Sequence, residues 1–399
     1  MASMNQTTRL AAPPYTPLRL VLTGALALAV AMGVGRFAFT PLLPLMLRDG
    51  LLDTTSVYGW ASANYLGYLM GALSAFWLQR HPLIGLKAGL LGIALMTLST
   101  GILDIPQLAQ AGIALRFGCG LLSAWVLVCT SSWCLNALTH IDKRHHGSWI
   151  YTGVGAGIAL TGTLTWLSGS LFATDAWIML GLLALLLSVL PLCQPEVRYL
   201  SGETGRHVQR NLTPNARHWP LIGCYALSGF GYIIPATYLP ALAQQQIDNP
   251  HLFGLAWPIF GLAALLSVAL VAFKCRHWSH QRTWATAQGV MAVGVLIPAF
   301  GQRLECLALS ALLVGGTFML ATLAGLQLAR EREPDNPTPL LGLMTAGFAS
   351  SQIAGPILVQ QLEHLNTFGL AALEMGCIIA SCLLTLTTCW LKRLNCATS

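Results

Sequence analysis

Charged residues are scarce in this chain. Asp, Glu, Lys and Arg make up 9% of the 399 residues, whereas hydrophobic residues make up 55%. A soluble domain carries about one quarter charged residues, so the composition excludes an ordinary soluble protein. Apolar runs of about 20 residues recur, which is the length of a membrane-spanning helix. The short alternating segments of a membrane β-barrel are absent, and we therefore expect an all-α integral membrane protein.

Several chemical signatures are also missing. No CxxC pair occurs among the eleven cysteines, so neither a zinc site nor a redox pair is indicated. No GxxxxGK[ST] loop is present, which argues against ATP hydrolysis. Within the apolar segments we find no nucleophile, metal cluster or acid–base pair, so the sequence predicts no enzyme, cofactor or metal. The net charge of +7 is scattered over short loops, which excludes a nucleic-acid-binding face.

Twelve apolar segments can be counted along the chain, in two sets of six separated by a polar stretch. They lie near 18–46, 57–79, 84–103, 109–136, 148–171, 176–193, 219–243, 253–273, 284–301, 305–328, 340–361 and 369–391. We therefore predict twelve transmembrane helices as two six-helix bundles, over residues 1–193 and 218–399, joined by a polar linker over 194–217.

The two halves share a short motif, which is repeated at a constant shift. Two glycines and a proline of the first segment recur 196 residues later, and the pairs are Gly33 and Gly229, Gly35 and Gly231, and Pro44 and Pro240. A membrane chain built from two similar halves forms a seam between them, and transporters bind their substrate at such a seam. At one position the two copies differ conspicuously: Arg36 in the first half corresponds to Tyr232 in the second half.

Basic residues are distributed asymmetrically. Nearly all of the 21 Lys and Arg residues fall at one set of segment ends, whereas Arg48 and Arg303 fall at the other. Because basic residues mark the cytoplasmic side, we expect both termini and the linker to be cytoplasmic. This arrangement requires an even number of crossings, in agreement with the count of twelve.

Longer motifs carry a family resemblance. The run Gly33-x-Gly35-Arg36-Phe37-x-x-Thr40-Pro41-x-x-Pro44, the run Ala61-Ser62-Ala63-Asn64-Tyr65-Leu66-Gly67-Tyr68-x-x-Gly71-Ala72 and the fifth-segment run Tyr151-x-Gly153-Val154-Gly155-x-Gly157-Ile158 resemble the YbfB/YjiJ-type subfamily of the major facilitator superfamily. The resemblance implies a multi-pass transporter of the bacterial inner membrane, working by alternating access. The loop from Gly71 to Lys87 lacks the Asp that is usual in the superfamily.

Arg36 is the leading candidate for a functional residue. A charge in the hydrocarbon core costs at least ~2.5–3.5 kcal/mol on insertion scales, so this side chain must face protein, water or an anion. Helical spacing places Gly33, Arg36, Thr40 and Pro44 on one stripe, and Pro41 and Pro44 are expected to bend the helix. The functional interpretation is an anion anchor. The alternative is a structural arginine bonded to backbone carbonyls or to a neighbouring helix.

Arg116 is a second cation inside an apolar segment. It lies at a depth within ~6 Å of Arg36, from helical rise, and the first half offers no carboxylate partner for either. Two such cations favour an anionic substrate. The alternative for Arg116 is the superfamily's usual structural or coupling role, since Arg116 and Gly120 fit its helix-4 pattern.

Four further residues complete the candidate site. Asn64 and Tyr68 share a face of the second segment, and Tyr232 takes the place of the cation in the second half. Packing is a comparably good interpretation for all three. Glu374 is the acidic residue placed inside the bilayer. It either couples transport to protons or lies at the interface.

The sequence thus predicts a secondary active transporter of a small organic anion or zwitterion, coupled to protons, with Arg36, Thr40, Asn64, Tyr68 and Arg116 lining the site together with Tyr232. An efflux pump for amphipathic drugs or metabolites is the alternative. A membrane-embedded enzyme and a non-transporting sensor are less favoured classes. The expected partners are the small-molecule substrate and the lipid bilayer, and we expect a monomer.

Overall fold

The computed structural model describes ten ranges of the chain: 16–53, 56–78, 81–103, 105–195, 216–246, 254–274, 277–301, 303–333, 338–365 and 371–396. The linker predicted over 194–217 and the N-terminal 15 residues fall almost entirely outside these ranges. Every regular element within them is a helix, which confirms the all-α expectation for this part of the chain.

The helices follow one another with short connections. In chain order they are α1 (Pro17–Leu28), a π-helix (Ala29–Phe37), α2 (Phe39–Arg48), α3 (Ser56–Ser74), α4 (Pro82–Ile102), α5 (Ile105–His140), α6 (Thr152–Leu167), α7 (Ala173–Leu192), α8 (Trp219–Gln246), α9 (Ala256–Lys274), α10 (His280–Leu296), α11 (Leu304–Arg332), α12 (Thr338–Leu365) and α13 (Ala372–Cys396). Short 3₁₀ turns cover Ala75–Leu78, Arg144–Tyr151, Ala216–His218 and Ile297–Ala299.

Each of the twelve predicted segments coincides with a helical stretch, the first being the continuous run Pro17–Arg48. Within the described residues nine stretches are long and apolar enough to cross a membrane, and Ala256–Val271 is a shorter apolar helix. Twelve crossings therefore remain a prediction. Helix α5 (Ile105–His140) is longer than the segment predicted at 109–136, because its polar ends continue the helix beyond the apolar run.

The first helix is irregular at its centre. Residues Ala29–Phe37 form a π-helix, in which each N–H bonds five residues back instead of four. Pro41 follows the π-helix and has no N–H to donate to the turn before it. The change of helix type comes before Pro41 and Pro44, the two residues at which the sequence predicts a bend.

Glycines allow helices of the first half to touch backbone to backbone. A Cβ added to Gly33 would lie 2.5 Å from the carbonyl carbon of Gly157, so the π-helix and α6 are in direct contact. A Cβ on Gly120 would lie 2.9 Å from the backbone nitrogen of Tyr68, which places α5 equally close to α3. Small residues at such crossings are typical of membrane helix pairs.

The two halves meet along two helix pairs. On one side α6 packs against α9, where a Cβ on Gly155 would lie 2.7 Å from the Cα of Leu265 and one on Gly261 would lie 2.6 Å from the Cα of Ala159. On the other side α3 packs against α12. The first helix runs between these pairs, and α2 also contacts α8. The centre of the first helix therefore lies at the seam.

The far end of the molecule is the end at which α2 finishes at Arg48 and α3 begins at Ser56. There the hydroxyl of Tyr58 donates to the carboxylate of Glu363 at the end of α12, so one hydrogen bond joins the two halves. The rings of Tyr58 and Tyr238 lie 6.4 Å apart between their centroids. These contacts hold the halves together at the far end.

Candidate functional site

Arg36 lies in the last turn of the π-helix and is 5% exposed. Its guanidinium points across the seam into the second half. One terminal nitrogen donates to the amide oxygen Oε1 of Gln352 on α12 and also lies 3.4 Å from the hydroxyl oxygen of Tyr232 on α8. The Gln352 amide nitrogen in turn donates to the Tyr232 hydroxyl at 2.5 Å. Arg36, Tyr232 and Gln352 thus form a closed hydrogen-bonded triangle between the halves.

Aromatic rings cover the same guanidinium. Its central carbon lies 3.9 Å from the ring centroid of Tyr68 and 5.1 Å from that of Phe37. Cation–π contacts of a desolvated arginine contribute about 2 kcal/mol each, which is comparable to the insertion cost of the charge. The rings therefore make burial of Arg36 tolerable without supplying a negative charge.

The second half adds a stack of rings beside the triangle. Tyr232 lies between Phe318 on α11 and Phe348 on α12, with centroid distances of 5.1 Å and 5.7 Å and interplanar angles of 17° and 19°. All three rings are buried. The wall opposite Arg36 is consequently flat and aromatic.

Arg116 has a different environment. It is buried in α5, and its two terminal nitrogens approach the carbonyl oxygens of Gly35 at 3.5 Å and of Arg36 at 3.1 Å. Its central guanidinium carbon lies 4.9 Å from the centroid of the Phe39 ring. Both are carbonyls of the π-helix. The geometry favours the structural alternative for Arg116.

Asn64 supports the same irregular backbone. Its amide nitrogen donates to the carbonyl oxygens of Gly35 at 3.2 Å and of Arg116 at 2.9 Å, and it is fully buried. It therefore ties α3 to the π-helix and to α5. Its own oxygen Oδ1 is buried and finds no hydrogen-bond partner within the described ranges.

The two remaining predicted residues do not join the triangle. Thr40 is buried in α2, one turn after Arg36. Glu374 lies in the first turn of α13, where its carboxylate accepts from the backbone N–H of Ala371 at 3.1 Å. A carboxylate that caps its own helix at the membrane boundary fits the interface alternative better than the coupling role.

Neither buried arginine has an acidic partner in the described part of the chain. The ion pairs found there join Arg48 to Asp49, His218 to Glu333 and His280 to Glu331, all at helix ends. The charge of Arg36 is therefore balanced by neutral dipoles and rings alone.

The sequence did not reveal Gln352 as the partner of Arg36, nor three other contacts across the seam. Tyr65 and Thr237 are hydrogen-bonded at 2.9 Å, the Phe37 ring lies 6.2 Å from that of Trp257, and Tyr58 bonds Glu363. A buried glutamine in an apolar helix was the available signal for Gln352. Pairings between distant segments carry no such signal.

Comparisons with known proteins identify the family and the fold. The family described as "uncharacterised MFS-type transporter YbfB" matches residues 28–390. A search of the curated proteins found no significant match. Among solved structures, a point mutant of the nucleoside transporter NupG superposes with a TM-score of 0.73 at 14% identity, covering 94% of this chain and 99% of that one. The NupG structure itself gives a TM-score of 0.70 at 14% identity, covering 95% and 98%.

At this identity the NupG structures establish the fold, and the family match covers most of the chain. Together with the apolar helices, they make this a multi-pass membrane protein of the major facilitator fold and a transporter, not an enzyme. The chain belongs to the family of MFS-type transporters described by YbfB.

Proposed function

We propose that this transporter carries a small organic anion, or a zwitterion held by its carboxylate, and that Arg36 is the anchor. The observation that carries the proposal is the position of Arg36: a permanent cation at the seam, bonded to neutral groups of the opposite half. A buried charge of this kind in a membrane helix marks a substrate or ion pathway by default. An anionic substrate would supply the missing counter-charge.

The partners of Arg36 are suited to exchange. Gln352 and Tyr232 belong to the second half, so their bonds to Arg36 must break when the halves separate. A carboxylate can accept two parallel N–H bonds from a guanidinium, which neutral acceptors match poorly. Substrate and second half would thus compete for the same donors, as alternating access requires.

Arg116 and Asn64 take a positioning role in this proposal. Both bond carbonyls of the π-helix and so fix the segment that presents Arg36. Tyr68 contacts the guanidinium from the first half, and Tyr232 contacts it from the second. Thr40, one turn along, lies close enough in the helix to extend the same surface.

Proton coupling is part of the proposal and is supported by a carboxylate other than Glu374. Glu363 bonds Tyr58 across the seam, so protonation would weaken a contact that must break for the far end to open. Proton binding would then control the contact between the two halves at the far end, and not the bond between Arg36 and the substrate.

The asymmetric distribution of basic residues supports cytoplasmic termini, and the family resemblance supports a bacterial inner-membrane location. We also propose a monomer. Cysteine labelling from either side of right-side-out vesicles, at Ser56 and at Ser279, tests the orientation. Ser56 should label from outside and Ser279 should not.

Uptake and efflux assays in proteoliposomes test the function, with panels of organic acids, amino acids, nucleosides and amphipathic drugs. Arg36→Gln should abolish flux of the anionic substrate, and Arg36→Lys should restore little because it lacks the planar fork. Arg282→Gln, at an exposed arginine, is the matched control. Drug efflux that survives Arg36→Gln would favour the efflux alternative, which relies on aromatic and apolar lining.

A further inference from the structure

The aromatic surroundings of Arg36 narrow the substrate class. Resting on the proposed function, we propose that the occupant is an aromatic carboxylate: a flat ring with its carboxylate on Arg36 and a hydrogen-bond acceptor at the opposite end of the ring.

The first argument is a continuous strip of rings that begins at Arg36. The Phe37 ring lies 5.1 Å from the guanidinium carbon and 6.2 Å from the Trp257 ring. Phe318 contacts Phe37 at 6.3 Å, and Phe260 contacts both Phe318 at 5.3 Å and Trp257 at 5.0 Å. Flat faces of this kind favour offset or edge contacts with another aromatic ring over contacts with a bulky aliphatic group.

The second argument is an unpartnered donor at the other end of the strip. The indole nitrogen Nε1 of Trp257 is buried and has no hydrogen-bond partner among the residues that the structure describes, and the residue is 1% exposed. Buried indole N–H groups ordinarily find an acceptor. A ligand that reaches from Arg36 along Phe37 to Trp257 would supply one.

The charges decide between an anion and a zwitterion. The site residues named above include one cation, Arg36, facing the seam, and no carboxylate that could hold an ammonium group. A bound carboxylate would release the Gln352 oxygen from Arg36, but a neutral amide oxygen holds an ammonium group more weakly than a carboxylate does. A simple carboxylate fits this donor-rich site better than an amino acid does.

Ligand pairs test the ring without any mutation. We expect benzoate to bind the purified full-length protein at least tenfold more tightly than cyclohexanecarboxylate, which has the same charge and nearly the same size but is not flat. We expect 4-hydroxybenzoate to bind more tightly still. Isothermal titration in detergent measures the three dissociation constants.

Variants test the two ends of the proposed ligand site, at Arg36 and at Trp257. Trp257→Phe should weaken binding of 4-hydroxybenzoate more than binding of benzoate and so remove the advantage of the hydroxyl group, whereas Trp219→Phe, at an exposed tryptophan, should change neither affinity. Arg36→Gln should abolish binding of all three acids.

The outcomes distinguish the aromatic substrate class from the proposed transport of anions held by Arg36. Equal affinity for benzoate and cyclohexanecarboxylate would overturn the aromatic class while anion transport stands. If Trp257→Phe weakens binding of benzoate and of 4-hydroxybenzoate equally, the proposed hydrogen bond from Trp257 to an acceptor on the ligand is wrong. Binding of an aliphatic acid that depends on Arg36 supports the proposed function alone, and binding of every acid unaffected by Arg36→Gln sinks both.

Discussion

Replacing Gly155 by alanine should force the two halves apart along α6 and α9. The added Cβ would lie 2.7 Å from the Cα of Leu265, whereas ordinary contact begins at 3.4 Å. The obstacle is backbone, which cannot rotate aside, so the helices must separate by roughly 1 Å, enough to forfeit a quarter to a half of the local dispersion energy.

The expected cost follows from two opposing effects. Overpacking costs about 1–3 kcal/mol, and alanine gains about 1 kcal/mol over glycine in a helix. Since the clash is with backbone, we expect the upper end and a net loss of about 2 kcal/mol. At about 2–4 °C per kcal/mol, the melting temperature should fall by about 4–8 °C.

Scanning fluorimetry of the purified protein measures this change. The matched control is Gly223→Ala in α8, where a Cβ meets nothing within 4 Å. That variant should be unchanged or more stable by up to about 1 kcal/mol. If Gly155→Ala melts at the same temperature as Gly223→Ala, or above it, the close approach of α6 and α9 is wrong.

Three further predictions follow from contacts described above. Arg116→Met should lower thermal stability by about 1–3 kcal/mol, because the buried carbonyl of Arg36 loses its side-chain donor while that of Gly35 keeps the donor from Asn64, and added substrate should not reverse the loss. The hydrogen bond from Arg48 holds the pKa of Asp49 below its usual 3.8, so its stabilising effect is present above that pH and is lost as pH falls below it; melting curves of Asp49→Asn should show a flatter acid limb. Tyr58→Phe should increase about tenfold the rate at which thiol reagents label a cysteine introduced at the far end, since a hydrogen bond to a charged group contributes about 1.5–3 kcal/mol. Adding Glu363→Gln to this variant should change the labelling rate little, because the bond is already lost.

The sequence predicted the helices well because membrane burial leaves a strong local signal. Apolar runs of spanning length and an uneven distribution of basic residues give the fold class without any tertiary information. The repeat added one long-range fact. Arg36 and Tyr232, which occupy the same place in the two copies, lie 3.4 Å apart at the seam.

The site was only partly predictable, because its geometry depends on contacts between distant segments. The importance of Arg36 followed from the cost of its charge, but its partner Gln352 is one of several polar residues in α12. The π-helix is contacted by α6 at Gly33 and by donors from α3 and α5, and these contacts come from segments distant in the chain. Arg116 looked equivalent to Arg36 from depth alone, and only side-chain direction distinguishes the two.

The mismatch between Arg36 and Tyr232 has a mechanical consequence. The two walls of the binding region are related by an internal repeat, but the permanent cation belongs to only one of them. A bound carboxylate would therefore remain with the first half as the second half swings away, in either direction. The N-terminal bundle would thus retain the substrate, and movement of the C-terminal bundle would open and close the binding region.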